Sequence, residues 1–191
     1  MINDYEGRNS ITSQEKNNLG GTKGGEGILS NNDVISTLNN LIETCKDGQE
    51  GFRQAAEGIE RSDLKSLFFE FSQQRAHFAG ELQSLVQQLG GSPEDSGSMA
   101  GTLHRGWINI KSAVTGRDEG AILNECERGE DSAKDNYKAA LEANLPANIM
   151  EVIRSQYESV QMAHDRVKAL RNSFANESGS MGTSRTAGGN A

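Results

Sequence analysis

Between residues 31 and 175 the chain holds only two prolines, Pro93 and Pro146, and both fall where the spacing of apolar residues breaks. Around them apolar side chains recur every three or four residues, and β-branched alternation is nowhere sustained. That period belongs to helices that each bury one face. Four long helices are predicted, over about 33–60, from Ser62 to the pair Gly90–Gly91, and over about 118–144 and 147–174. A shorter one is predicted over about 99–114. Asn32 and Ser62 read as N-caps, and Thr115–Gly116 as a stop.

Helices of some 26–28 residues are each ~40 Å long at the usual rise per residue. Matched lengths and near-heptad stripes describe a bundle. The first two helices and the last two are joined by a few residues, so each pair is an antiparallel hairpin. The connection between the hairpins is long and carries the short helix, which implies a crossover rather than a simple up-and-down path. Residues 1–30 and 176–191 carry 10 of the 22 glycines and almost nothing apolar. Such segments cannot offset the entropy of ordering, so both are expected to be disordered tails around a bundle spanning 31–175.

The net charge is −8, and residues 31–175 hold 15 basic against 22 acidic side chains. An acidic bundle opposes the counterion release that drives nucleic-acid binding. No apolar run approaches the ~18 residues of a membrane span. The polar N-terminus shows no apolar signal core, and two cysteines are too few for a disulfide framework, so a reducing cytoplasmic setting is expected.

The apolar stripes are interrupted near the middle of each long helix by one polar residue, namely Gln49, Arg75, Glu130 and His164. Counted outward from the hairpin turns, the four are expected to form a mid-bundle polar layer, with Cys45 and Cys126 about a turn away. A buried polar layer is costly unless paired. It serves either a metal, redox or small-ligand site, or a self-contained network in which Arg75 pairs with Glu130. Cys45 and Cys126 are candidates for a redox pair, or simply small buried side chains. His77 falls off its helix's stripe and is expected to be solvated, whereas Trp107 is expected to anchor the crossover helix. No nucleophile–base arrangement, P-loop or dinucleotide fingerprint is present.

The hairpins resemble each other. "ETCKDGQE" in the first helix matches "NECERGED" in the third, and "QRAH" in the second matches "QMAH" in the fourth. The segments "LIETCKDGQEGF", "GGSPEDSGSMAGTLHRGW" and "ECERGED" give the chain a further likeness. Over about residues 32–174 it resembles ferritin-like four-helix-bundle proteins and, among them, an uncharacterised bacterial family classed as a domain of unknown function. The resemblance implies an all-α bundle of two hairpins with a crossover, and no particular reaction.

Ferritin-like di-iron enzymes take a Glu from each of two helices and Glu-x-x-His from each of the other two. Here the residues three before His77, His104 and His164 are Gln74, Gly101 and Gln161, so no Glu-x-x-His exists. Glu130 and Tyr137 keep a ferritin-like Glu-x6-Tyr spacing, but Gln49 and Ala56 stand at the aligned places of the first helix. A standard di-iron centre is not expected. The leading expectation is a non-catalytic, structural or stress-associated protein that acts through association, as a homo-oligomer. The alternatives are a metal-binding oxidoreductase or storage protein, holding Fe or Mn at an altered site drawn from Glu130 and His164, and a thiol-redox sensor using Cys45 and Cys126.

Overall fold

The computed structural model describes residues 29–93, 107 and 109–183. Among them the chain forms five helices: α1 (Asn31–Gly58), α2 (Ser62–Gln88), α3 (Ile110–Gly116), α4 (Glu119–Glu142) and α5 (Ala147–Thr183). No strand occurs among the described residues, and none of their helices is long and apolar enough to cross a membrane.

The caps differ from the sequence expectation at the first two helices. Ser30, not Asn32, caps α1: its hydroxyl oxygen accepts from the Asp33 backbone N–H, and the Ser30 side chain in turn meets Asp33 Oδ2 at 2.6 Å. Ser62 is the first residue of α2 rather than its cap, and the N-cap position falls to Arg61, whose side chain makes no capping bond. At the far end of α2, Gly90 takes a φ of 76° and its N–H bonds back to the Gln87 carbonyl. That left-handed turn is the stop the double glycine signals. Asp118 caps α4 by accepting from the Ala121 N–H at 3.0 Å.

α5 continues to Thr183, eight residues beyond the expected boundary of the bundle, so its last turns take up part of the segment expected to be a disordered tail. The expectations for residues 1–28, for 184–191 and for the start of the 99–114 helix lie outside the described residues. The described part of the crossover helix is Ile110–Gly116.

Cross-helix contacts fix the topology. Cys45 meets Tyr137, whereas Arg61, just past α1, meets Glu119 at the start of α4. α1 and α4 are therefore antiparallel. α1 is also antiparallel to α2, since Asn31 reaches Leu89 while Ser72 reaches Gln49. It follows that α2 and α4 run parallel, on opposite corners of the bundle, as a full-length crossover requires. α1–α2 and α4–α5 are the closest seams, and α2 and α5 touch far less than either.

The apolar core falls into two clusters. One gathers Leu38, Leu41, Ile42, Leu82, Val86, Ile149 and Ile153, and the other Phe52, Phe68, Ile110, Ile122 and Val167. The break comes at the same level on the helices, near residues 48, 75, 130 and 164, and a polar layer occupies it.

Candidate functional site

At the break Arg75 of α2 crosses the bundle diagonal to Glu130 of α4, with Nη2 2.6 Å from Oε2. The two side chains are 1% and 0% exposed. The guanidinium carbon lies 6.0 Å from the Phe52 ring centre and 5.6 Å from that of Phe78, and Nη1 donates to Gln74 Oε1 at 2.9 Å. Ring faces attract a desolvated cation, and the carboxylate supplies the opposite charge. Room for the side chain comes from Gly48: a Cβ there would stand 3.2 Å from Arg75 Cγ. Glu130 Oε1 and Arg75 Nε are buried without a hydrogen-bond partner. Burial pushes the Glu130 carboxyl above its ordinary range, while the adjacent guanidinium pulls it back.

One turn away a second set of polar groups forms a chain. Cys45 Sγ lies 3.1 Å from Tyr137 Oη, which donates to Gln156 Oε1 at 2.7 Å. Gln156 Nε2 donates to Glu81 Oε2 at 2.8 Å, at the edge of a cleft of about 340 Å³ between α2 and α5 that His77, Phe78 and Glu151 also line. Burial pushes the Cys45 thiol up to about 11, and Tyr137 well above its ordinary value.

His164 is buried, but its ring lies at the α4–α5 seam. Nε2 is 2.9 Å from Asp131 Oδ1 and Nδ1 is 2.9 Å from Asp165 Oδ1. Lys134 Nζ stands 3.3 and 3.5 Å from the two ring nitrogens. Beside them Arg171 Nη2 donates to Glu127 Oε1 at 2.8 Å, and Arg171 Nε stands 2.8 Å from Oε2 as an ion pair without hydrogen-bond geometry.

Of the four residues expected in the layer, the structure joins Arg75 and Glu130 and sets His164 against other carboxylates. Gln49 is a correction. Its side chain is exposed, and only its backbone carbonyl takes part, accepting from Ser72 Oγ at 2.8 Å. The inward place belongs to Gly48, one residue and about 100° away, because the bulk of Arg75 needs that space. Cys45 and Cys126 are both fully buried and belong to different apolar clusters. Their thiols are held above the ordinary range by burial. His77 is exposed and 3.5 Å from Glu81.

Sequence reasoning missed Gln156 and the seam residues Glu127 and Asp131. For Gln156 the signal was there: Ile149, Ile153, Gln156, Val160, Ala163 and Val167, all buried, alternate four- and three-residue steps. Tyr157, one position further on, also fits an apolar spacing but is only half-buried. For Glu127 and Asp131, a solvated acidic face is the common meaning of the pattern, and only the fold brings His164 to it.

The group that a ferritin-like fold implies, a pair of iron ions, does not fit these residues. Arg75 brings a positive charge to Glu130, the most deeply buried carboxylate among the described residues, and Gln74 serves that arginine as acceptor rather than standing as a carboxylate ligand.

Four antiparallel-paired helices with a crossover define a ferritin-like bundle. A solved structure from Anabaena variabilis ATCC 29413, a two-domain protein with DJ-1/ThiJ/PfpI-like and ferritin-like domains, matches 78% of this chain at 17% identity and a TM-score of 0.65. This chain spans 41% of that one, so the likeness shows the fold of one part of it. No protein with a curated description matches the chain. The family described as "Domain of unknown function (DUF2383)" matches residues 33–143, more than half of the chain, and the protein belongs to it.

Proposed function

We propose that the chain is a non-catalytic ferritin-like bundle that acts by association with a second copy of itself. The observation that carries this reading is the Arg75–Glu130 pair, which puts a fixed cation against the bundle's fully buried carboxylate. Arginine keeps its proton at every physiological pH, so this is a permanent charge and a poor neighbour for a metal ion. The thiol alternative is less favoured, since both cysteines are buried and held protonated.

Association is supported by exposed apolar side chains: Phe69 of α2 and Met162 of α5 are left 40% and 66% exposed. A second copy covering them would remove that surface from water. Light scattering on the full-length protein is expected to show a defined dimer or higher oligomer that Met162→Glu or Phe69→Glu weakens. Fe(II) added under air is expected to oxidise no faster with the parent than with Glu130→Gln. A monomer, or Fe(II) oxidation that depends on Glu130, would overturn the reading.

A further inference from the structure

We propose that Glu127, Asp131 and His164 form a binding site for one divalent transition-metal ion, Zn(II) in particular, at the α4–α5 seam. One ligand atom from each of the three lies within 4.8 Å of the other two. Glu127 and Asp131 stand four apart on α4, so both project from one face, and α5 sets His164 against them.

The imidazole itself points to a cation. Both ring nitrogens meet a carboxylate oxygen at 2.9 Å, Asp131 on one side and Asp165 on the other. A neutral imidazole carries one N–H, so one of those contacts sets a lone pair against a carboxylate. The ammonium of Lys134, 3.3 Å from Nδ1 and 3.5 Å from Nε2, is a cation already held at that edge of the ring, and a metal ion at Nε2 takes its place. A metal ion between Nε2, Asp131 and Glu127 satisfies all three lone pairs at once. The surroundings are those of a supported ligand set. Asp165 takes the remaining N–H of the histidine, and Arg171 orients Glu127 while leaving each carboxylate oxygen a second lone pair. The Asp131 side chain is 59% exposed, which opens the site to solvent and leaves a coordination position for water. One imidazole and two carboxylates suit Zn(II), bound more tightly than Mn(II) or Fe(II). Such an ion clamps α4 to α5 outside the bundle centre and needs no change in the Arg75–Glu130 pair.

The test is calorimetric titration of the metal-free full-length protein with ZnCl2, with Co(II) as a spectroscopic probe. The expected result is one Zn(II) per chain, a higher melting temperature with Zn(II), and visible Co(II) bands of low coordination number. Asp131→Asn, at an exposed position, should keep the parent's circular dichroism and weaken Zn(II) at least tenfold. His164→Gln should shift or abolish the Co(II) bands. No binding by the parent, or binding that neither substitution weakens, would overturn the proposal. Binding that survives both and is lost in Glu130→Gln would place the metal in the bundle centre, overturning this site and the non-catalytic reading together.

Discussion

A buried guanidinium needs its charge answered, and the charge of Arg75 is answered by Glu130 and two ring faces while Gln74 accepts from Nη1 and Nε goes without a partner. The same rule governs the thiol a turn away. Burial raises Cys45 from its ordinary 9.0 to about 11, with Tyr137 pulling weakly the other way. Between pH 9 and 11 the unfolded chain gives up that proton and the folded chain keeps it, so stability falls as pH rises through this window. The loss from Cys45 alone is about 3 kcal/mol. Urea midpoints at pH 8.5 and 10.5 check this: the parent should lose more than Cys45→Ala, and equal losses would mean the thiol is not held protonated. Arg75 and Glu130 stand out in the sequence as charges within apolar stripes. Their neighbour Gly48 does not, because a residue with no side chain leaves no mark in a hydropathy pattern.

Glycines inside helices ordinarily cost stability, and four of them here are explained by what packs against them. Trp107 lies 8% exposed against both α1 and α4, and a Cβ at Gly51 or Gly129 would fall 2.1 or 2.3 Å from its indole carbons. Gly58 stands in the same relation to Val114 of α3, at 2.5 Å, as Gly48 does to Arg75 at 3.2 Å. Trp107 and α3 are thus seated against small residues on α1 and α4. Gly51→Ala and Gly129→Ala should each destabilise by about 1–3 kcal/mol and shift Trp107 fluorescence to the red as the ring is pushed out. Gly80, with nothing within 4 Å of its would-be Cβ, is the control: Gly80→Ala should stabilise by about 0.5–1 kcal/mol. Denaturation curves and emission spectra of the three variants decide it. The four long helices were legible because a 3.6-residue period persists for more than twenty residues in each. Their ends were less so. Ser30 competes with Asn32 as a cap, and the polar, glycine-bearing stretch after Phe174 reads as tail although α5 runs to Thr183.

Across the described residues, two apolar clusters are stacked end to end with a charged layer between them, and the Arg75–Glu130 pair ties α2 to α4 across the bundle diagonal. That arrangement specifies register along the bundle: sliding α2 by one turn would strand both charges in apolar surroundings. The long crossover was readable from chain length alone, whereas the seam cluster of Glu127, Asp131 and His164 was not, since it depends on how α4 and α5 are rotated about their axes.

The measurement closest to the central claim is a double-mutant cycle in chemical denaturation at neutral pH. Arg75→Met alone should destabilise the protein by ~3 kcal/mol or more, because Glu130 is left buried and unpaired. Arg75→Met with Glu130→Gln should recover much of that loss. Losses that simply add would show that the two residues act independently and that the core is not held by their pairing.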